Sequence, residues 1–250
     1  MIISSVQNPK VKELKKLMTD KSLVFFDNPK LVEEAYLAGH QIIYLIKKEG
    51  YVGKTDYGGE IVEVTDNVFK TFSSTQNSQG LIGVAKFSFC KLDKPKGNFL
   101  VLDGLQDPGN IGTLIRSGLG ANFLDIYLVD SARANNEKVV RSSMGAIFKT
   151  RLYPCTKEQF TIEFKKWNLQ LIVCDMDGEN IYKSNIAGQV GIVVGNEGSG
   201  VSNNMFNLAT KTISIPMQNG LESLNAGVSG SIIMYQIANQ FSDMWNIKQW

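Results

Sequence analysis

Hydrophobic residues recur along the chain in two patterns that predict two kinds of element. Short continuous apolar runs, rich in β-branched and aromatic residues, predict buried strands, whereas apolar residues at helical spacing predict amphipathic helices. Strand candidates in the first part of the chain are Leu23–Phe26, Ile42–Ile46, Ile61–Val64 and Leu81–Phe87. Those in the second part are Phe99–Leu102, Ile126–Val129, Leu169–Cys174, Val190–Val194 and Lys211–Ile215. Helical stretches separate the runs, so the pattern predicts an α/β fold whose second part contains buried parallel strands.

Two Asn-Pro pairs, Asn8-Pro9 and Asn28-Pro29, predict the starts of the first two helices. Asparagine can cap the free amides of a helix, and proline fits its first turn. The second helix is predicted to stop at Gly39, as a left-handed C-terminal position requires. In the first helix, the positions between the apolar residues form a basic face of Lys10, Lys12, Lys15 and Lys16. Such a face is either solvated surface or a phosphate-binding surface, and charge alone does not separate the two.

The last predicted helix and a charged break complete the organisation of the chain. The helix is expected from about Glu222 to Phe241, with an apolar stripe of Val228, Ile232, Tyr235 and Ile237. The segment KLDKPKG at residues 91–97 is charged, contains proline and glycine, and interrupts the alternation of strands and helices. The sequence therefore predicts two domains, at residues 1–94 and 98–250.

Composition narrows the class of protein. The chain has 250 residues, of which 43% are hydrophobic and 20% are charged, as expected for ordered globular domains. It contains no apolar run long enough to cross a membrane, and its first ten residues lack a secretory signal, so we expect a cytoplasmic protein. The three cysteines are far apart and there is one histidine, which predicts reduced thiols and no metal site.

Charge is distributed unevenly between the two predicted domains. Residues 1–97 carry 14 lysines against 11 acidic residues, whereas residues 98–250 carry 12 basic against 13 acidic residues. All four arginines, Arg116, Arg133, Arg141 and Arg151, fall in one 36-residue stretch of the second part. Because guanidinium suits bidentate contact with phosphate, this cluster is a candidate nucleic-acid contact.

Three glycine-rich segments each follow a strand candidate, at the carboxyl ends where α/β sheets bind ligands. They are LDGLQDPGNIGTLIR at 102–116, GIVVGNEGSGVS at 191–202 and ISIPMQNGLESLN at 213–225. In the first, Asn110 is expected to cap a helix, and Arg116 could share the site at its start. A single loop of this kind is more often a tight turn without a ligand, but three together favour a binding site. The spacing Gly195-x-x-Gly198-x-Gly200 is the reverse of the dinucleotide-binding fingerprint.

These three segments resemble the three motifs of the SpoU (TrmH-like) RNA methyltransferases of the SPOUT superfamily, and KVVRSSMGA at 138–146 resembles a segment between the first two. The resemblance extends from about Asn98 to the C-terminus. The first part is similar, more weakly, to the ribosomal-protein-like RNA-binding domain of some members. One departure is Asn219, which stands where the family more usually has glycine, with Gly220 following. The resemblance implies a small α/β RNA-binding domain followed by a parallel-sheet α/β methyltransferase domain with a C-terminal trefoil knot.

The same resemblance implies an activity, a cofactor and an assembly. It implies methylation of RNA at the ribose 2′-hydroxyl with S-adenosylmethionine, by a homodimer in which pairs of chains form the active site. Residues implied around the cofactor are Gly195, Asn196, Glu197, Gly198, Ile215, Met217, Ser223 and Leu224. Residues implied in catalysis are Asn110, Arg116, Glu197, Ser223 and Asn225. RNA contacts are expected from the basic helix face (Lys10, Lys12, Lys15 and Lys16) and from Arg116 and Arg141.

Simpler roles remain open for some of these residues. Glu197 could be only a carboxylate at a helix N-terminus, and Ser223 and Asn225 could be helix caps. His40 is expected on the surface of the other domain, so Arg116 is the candidate for activating the hydroxyl. It either abstracts the proton or holds the adjacent phosphate and stabilises the developing alkoxide. We favour the second role because a guanidinium in solution loses its proton only far above neutral pH.

The substrate expected from the two-domain architecture is large-subunit ribosomal RNA, with transfer RNA as the alternative. Two other functions compete with methyl transfer. An RNA-binding relative without activity would share the fold, and a nicotinamide-dependent oxidoreductase would share the order of strands and helices. The chain lacks the dinucleotide loop of the oxidoreductases. An inactive relative is disfavoured by the five implied catalytic residues, which are all present: Asn110, Arg116, Glu197, Ser223 and Asn225.

Overall fold

The computed structural model describes residues 2–73, 75 and 77–241, which form two compact units. The first contains the chain up to Ser88 together with Asn135–Phe148, and the second contains Phe89–Ala134 and the chain from Lys149 onward. The main break therefore falls just before the predicted one at residues 91–97, and the segment Asn135–Phe148 groups with the N-terminal unit. The last nine residues of the predicted second domain lie outside the described residues.

The helices and strands have the following bounds. Up to residue 86 they are α1 (Pro9–Leu17), β1 (Leu23–Asp27), α2 (Pro29–Leu37), β2 (Ile42–Lys48), β3 (Glu60–Val64), α3 (Asp66–Phe69) and β4 (Leu81–Lys86). From residue 99 they are β5 (Phe99–Asp103), α4 (Pro108–Gly120), β6 (Asp125–Val129), α5 (Glu137–Ser143), β7 (Arg151–Cys155), α6 (Lys157–Trp167), β8 (Gln170–Asn180), β9 (Val190–Gly195), α7 (Asn203–Leu208), β10 (Lys211–Ser214) and α8 (Ala226–Gln240).

The first unit is built around a four-stranded sheet in the order β1-β4-β2-β3. Its two Asn-Pro helix starts are confirmed, because Asn8 and Asn28 accept hydrogen bonds from the backbone amides two residues ahead, at 2.9 and 2.8 Å. Gly39 follows α2 with φ +83°, as the predicted stop requires. His40 differs from the expectation of a surface residue: it is half-buried, with Nε2 3.1 Å from the carbonyl oxygen of Phe148.

The second unit contains a six-stranded sheet in the order β10-β8-β9-β5-β6-β7, in which every pair is parallel. The predicted α/β class with a parallel sheet is confirmed, while the trefoil knot stays a prediction. Of the six strands in this sheet, β7 is the strand that the hydrophobic pattern did not predict, because its sequence RLYPC lacks a continuous apolar run. Proline is tolerated there because β7 lies at the edge of the sheet.

The core of the second unit is aromatic. Tyr127 on β6 stacks against Tyr153 with ring centroids 4.8 Å apart, and it contacts Phe99, Phe160 and Trp167 edge-on or tilted at 5.4 to 5.6 Å. All of these rings are buried. This packing fixes α6 against one face of the sheet and so fixes where the strands end.

Helix α8 begins four residues later than predicted and buries a different face. Asn225 accepts hydrogen bonds from the backbone amides of Gly227 and Val228 at 2.9 and 3.3 Å, which caps the helix there. Of the predicted apolar stripe, Ile237 is buried, but Val228 and Tyr235 are each 45% exposed. The face that packs inward consists of Gly227, Gly230, Ile233, Met234 and Ile237. The stripe was wrong because small residues, which carry little hydrophobic signal, allow the closest approach.

Arg151 serves the fold, not the candidate nucleic-acid contact. Its Nε and Nη2 donate to the two carboxylate oxygens of Asp125 at 2.5 and 2.8 Å, and the Tyr153 hydroxyl also donates to this carboxylate at 2.8 Å. Burial raises the pKa of Asp125, but the bonds from Arg151, the Lys96 amide and Tyr153 outweigh it and leave that pKa below its usual value. The pair lies where β6 and β7 begin.

Three further observations concern the described residues. No helix among them is long and apolar enough to cross a membrane. In the same part of the chain, no three His, Cys, Asp or Glu side chains are grouped to hold a metal ion. The three cysteines are free thiols, and burial raises the pKa of Cys155 to about 12.

Candidate functional site

A cavity of about 1200 Å³ lies at the carboxyl ends of β8, β9 and β10 in the second unit. Parallel strands that end at one edge bring the loops that follow them together, which is why ligand sites form there. All eight residues that the sequence placed around a cofactor line this cavity: Gly195, Asn196, Glu197, Gly198, Ile215, Met217, Ser223 and Leu224. Of the residues implied in catalysis, Asn225 lines it as well.

The loop after β9 forms one wall. Asn196 and Gly200 exchange two backbone hydrogen bonds of 3.0 and 2.9 Å, which fold the loop into a tight turn. The Asn196 side chain accepts from the amides of Gly198 and Ser199 and donates to the carbonyl of Gly104 at 2.8 Å. A Cβ at Gly195 would lie 2.4 Å from backbone atoms of Gly200 and Val201, so only glycine allows this turn.

The loop after β10 forms the opposite wall. Ile215, Met217 and Leu224 are half-buried and line the cavity. Asn219, which replaces a more usual glycine, has φ +57°, and Gly220 follows with φ +71°. Asparagine tolerates the left-handed region better than most residues do, so this departure from the family pattern preserves the turn.

The loop between β5 and α4, together with the start of α4, holds Glu197 in place. Helix α4 is capped by Asp107, whose Oδ1 accepts from the Asn110 amide at 2.8 Å. The prediction that Asn110 caps the helix was therefore wrong. Its side chain instead donates from Nδ2 to Glu197 Oε1 at 2.9 Å, and Asn110 is only 8% exposed. Two predicted site residues 87 positions apart thus form one pair.

Glu197 also accepts hydrogen bonds from the backbone amides of Asp107 and Gln106, at 3.3 and 3.4 Å. Partial burial raises the pKa of Glu197, but the hydrogen bonds from Asn110 and from backbone amides outweigh it and hold that pKa below its usual value. Glu197 is therefore an acceptor at neutral pH. Its position at the start of α4 matches the simpler role of a helix-end carboxylate, which the sequence left open, and its exposed side also lines the cavity.

Arg116 lies farther along α4 and is exposed. Six residues at about 100° each place it roughly 120° around the helix from Asn110. It is not among the described residues that line the cavity. Within one chain, the structure therefore brings Asn110 and Glu197 together and leaves Arg116 on a different face of the same helix.

The predicted RNA-contacting residues in the first unit differ in their surroundings. The ammonium of Lys10 lies 3.1 Å from Glu60 and 3.4 Å from Glu13, so this lysine is already paired. Lys15 lies over the ring of Phe72 at 5.9 Å, whereas Lys12 and Lys16 are exposed. The basic face of α1 is thus narrower than the sequence suggested. Arg141 is exposed on α5, which groups with this same unit.

The sequence analysis missed one wall of the cavity. Cys174, Asp175, Met176 and Asp177 line it from within β8, three or more residues before that strand ends at Asn180. They lie at the end of a predicted strand and directly after it, and that placement was the available signal, but the segment contains no glycine-rich turn. Strand β8 also runs on to Asn180, well beyond its predicted end at Cys174.

The cavity is acidic. Four carboxylates line it, from Asp175, Asp177, Glu197 and Glu222, and its described lining contains no lysine, arginine or histidine. Such a lining favours a ligand with a positive charge over an anion. Apolar side chains alongside the carboxylates suit a ligand that also has a flat or aliphatic part.

Comparison with known proteins gives consistent matches. The model of the SpoU rRNA Methylase family matches residues 97–235. The chain is 28% identical over 245 residues to the 23S rRNA (guanosine(2553)-2'-O)-methyltransferase RlmP of Bacillus subtilis (strain 168), covering 94% of this chain and 98% of that protein. It is 29% identical over 185 residues to the 23S rRNA (adenosine(1067)-2'-O)-methyltransferase of Streptomyces laurentii, covering 71% of this chain and 67% of that protein.

Solved structures match across both units. An RNA 2'-O ribose methyltransferase aligns with TM-score 0.83 and 26% identity, covering 97% of this chain and all of that one. An AdoMet-bound rRNA methyltransferase from Sinorhizobium meliloti aligns with TM-score 0.84 and 23% identity, covering 96% and 97% of the two chains. The second likeness concerns the fold alone. The first match relates this chain to a solved RNA 2'-O ribose methyltransferase.

Proposed function

Because the chain belongs to the SpoU rRNA methylase family, we propose that it transfers a methyl group from S-adenosylmethionine to a ribose 2′-hydroxyl of RNA. The observation that carries the proposal is the single cavity in which all eight expected cofactor residues meet. It adjoins the Asn110–Glu197 pair, which joins the first and second motifs. The enzyme is an RNA methyltransferase, and its ribosomal substrate is supported by relatives named for methylation of 23S rRNA.

The cavity fits S-adenosylmethionine in charge and shape. The cofactor carries a sulfonium and an ammonium against one carboxylate, and four carboxylates line the cavity. Ile215, Met217 and Leu224 offer apolar surface for its adenine ring. The turn at Gly195 brings backbone close to the ligand without a side chain in the way. When bound, the cofactor supplies an activated methyl group, and no metal is needed for the transfer.

The remaining chemistry falls to residues of this chain. The ribose oxygen must approach the methyl carbon in line and at near-attack distance, so the protein acts mainly by positioning. Asn110 fixes the Glu197 carboxylate, which can orient the cofactor or the ribose through hydrogen bonds. Ser223 is exposed at the cavity and Asn225 caps α8 beside it, which leaves the side chain of Ser223 accessible to RNA.

Arg116 is proposed to hold the phosphate next to the target ribose and to stabilise the developing alkoxide. The proton of the 2′-hydroxyl then passes to a phosphate oxygen or to water. This role does not require a neutral guanidinium, which is the difficulty for Arg116 as a base. Because Arg116 lies on a different face of α4 from Asn110 and does not line the cavity of its own chain, we propose that it acts on RNA bound beside the cavity of a second chain.

The surfaces of α4 and α8 support a homodimer. The Ser231 hydroxyl on α8 donates to Ser117 on α4 at 2.7 Å, so the two helices lie side by side. On α8, Val228 and Tyr235 are each 45% exposed. On α4, Arg116 is exposed and directly precedes Ser117. Exposed apolar side chains on a helix, here on α8, are typical of a surface that a partner covers. We therefore propose that the active dimer forms through α4 and α8. Light scattering at micromolar concentration tests this, and a mass near 27.7 kDa would contradict it.

RNA docking is proposed to involve the first unit, through the exposed Lys12 and Lys16 on α1 and Arg141 on α5. Phosphate contacts of this kind make RNA affinity fall with salt. The proposed substrate is large-subunit ribosomal RNA, which corresponds to a cytoplasmic location. Transfer RNA is the alternative within the same chemistry.

The decisive experiment uses the full chain with radiolabelled S-adenosylmethionine and three substrates: unmodified 23S rRNA transcript, total transfer RNA and DNA of matched sequence. Digestion of the product to nucleosides should give a 2′-O-methylated nucleoside from ribosomal RNA and none from DNA. Label in transfer RNA alone would replace the proposed substrate. Cofactor binding without transfer to any RNA, even to ribosomal particles, would contradict the proposed function.

A further inference from the structure

Asp103 ends β5 at the same edge of the sheet as the cavity, yet it does not line the cavity. Its side chain is 1% exposed. The Oδ2 atom accepts a hydrogen bond from the Ser202 amide at 2.7 Å. The Oδ1 atom has no hydrogen-bond partner among the described residues, and it lies 3.6 Å from the ammonium of Lys157. A buried carboxylate thus holds a backbone amide on one side and faces a cation on the other.

The amide that it holds closes the loop after β9. At the start of that loop, Asn196 donates from its side chain to the carbonyl of Gly104 at 2.8 Å. At its end, Ser202 donates to Asp103. Asp103 and Gly104, at the end of β5, therefore hold the two ends of the loop after β9 by hydrogen bonds. Between these anchors lie Glu197, Gly198, Gly200 and Val201, which all line the cavity.

Lys157 is an unusual residue for its position. It is the first residue of α6, where the positive end of the helix disfavours a cation. The Asp130 carboxylate accepts a hydrogen bond from its backbone amide at 3.4 Å, and Asp103 faces its ammonium. Because an unpaired buried charge is strongly destabilising, the Lys157 ammonium compensates the buried carboxylate of Asp103.

We propose that Asp103, with Lys157 as its counterion, is a positioning residue that sets the conformation of the cofactor-binding loop. This inference rests on the proposed function, since it assumes that the cavity binds S-adenosylmethionine. Asp103 touches neither cofactor nor RNA in this scheme. It acts through the Ser202 amide, whose hydrogen bond to a charged acceptor is stronger than one to a neutral acceptor.

Calorimetry with S-adenosylhomocysteine on the full chain tests the proposal in Asp103→Asn, Lys157→Met and the double variant. Asparagine keeps the shape of Asp103 and loses its charge. Asp125→Asn is the matched control, because Asp125 is also a buried carboxylate paired with a cation, at the opposite end of the strands. We expect Asp103→Asn to weaken binding about tenfold or more and to raise the cofactor KM more than it lowers kcat. The control should lower thermal stability and leave affinity within twofold of wild type.

The outcomes separate the possibilities. Equal affinity in wild type and Asp103→Asn overturns the positioning role, as does an equal loss in Asp125→Asn, which would indicate a general effect of stability. If Asp103→Asn does not fold, Lys157→Met carries the same prediction, and unchanged affinity in that variant overturns it. In the double variant, losses smaller than the sum of the single ones would support coupling of the pair, and additive losses would contradict it. Failure of folded wild-type protein to bind either cofactor form would count against the proposed function instead.

Discussion

Replacing Gly195 by alanine should disrupt the cofactor-binding loop while leaving the sheet intact. The added Cβ would lie 2.4 Å from the carbonyl carbon of Gly200 and from the amide nitrogen of Val201. Both are backbone atoms, so no side-chain rotation can relieve the clash. The turn must open by about 1 Å for the new atom to reach the 3.4 Å at which ordinary contact begins.

A displacement of this size has a predictable cost. Misplacement by about 1 Å can lower a reaction rate by roughly 10²-fold, and we expect a loss of at most that size in ligand binding when the loop that binds the ligand is displaced as far. We therefore expect the affinity of Gly195→Ala for S-adenosylhomocysteine to fall about 10- to 100-fold, with strain of about 1–3 kcal/mol in the free energy of unfolding. Calorimetry measures the affinity, and urea unfolding followed by circular dichroism measures the stability.

Gly97→Ala is the matched control, at a glycine that does not line the cavity. Its Cβ would have no heavy atom of the described residues within 4 Å, so the affinity of this variant should stay within about twofold of wild type. Near wild-type affinity in Gly195→Ala would refute the reasoning, because the turn would then tolerate a side chain. Equal losses in both variants would refute it too, since the close approach at Gly195 would not be the cause.

Three further predictions follow from the same geometry. Arg116→Ala should lower the rate of methyl transfer by roughly 10²-fold or more and leave cofactor affinity unchanged. Arg116→Lys should retain partial activity and bind RNA more weakly. Full turnover of Arg116→Ala with saturating cofactor and RNA would remove Arg116 from the mechanism. Replacing Lys12 and Lys16 by glutamate should weaken RNA binding and make the RNA affinity depend less on salt. Lys10→Gln should lower the RNA affinity less, because Lys10 is already paired with acidic side chains. Equal losses of RNA affinity would contradict the narrower basic face. The pKa of Asp125 is lower in the folded protein than in the unfolded chain, so its stabilising contribution is complete above the ordinary aspartate pKa of about 3.9 and is lost as pH falls through the folded-state pKa. The urea midpoint of wild type should therefore fall more from pH 5 to pH 3 than that of Asp125→Asn. Parallel dependence of the two midpoints on pH would contradict this.

Local sequence signals predicted the elements well where one residue type has one physical consequence. Asn8 and Asn28 cap the helices that they were expected to cap, and Gly39 takes the positive φ that ends α2. These outcomes depend on atoms within a few residues, so they can be derived without the fold. The continuous apolar runs of the second unit likewise form parallel strands, because both faces of such a sheet are covered.

Signals failed where the outcome depends on packing. The residue that caps α4 is Asp107 and not Asn110, although both residue types cap well. Asn110 was free to turn inward because Glu197 arrives beside it from a distant strand. The inward face of α8 was also misjudged, since Gly227 and Gly230 matter there for the space that they leave and not for hydrophobicity.

The sequence by itself determined the α/β class, all strands except β7, the starts of the first two helices, and the three loops in which cofactor and catalytic residues were expected. Those features are encoded by hydrophobic period, caps and glycines, which act over short stretches of chain. The tertiary structure alone decided the pairings: Asn110 with Glu197, and Asp103 with the amide of Ser202. Each joins residues almost a hundred positions apart and depends on β5 lying next to β9 in register, with Asp103 opposite Gly195. That register is set by burial of the whole sheet, which no local stretch of sequence contains.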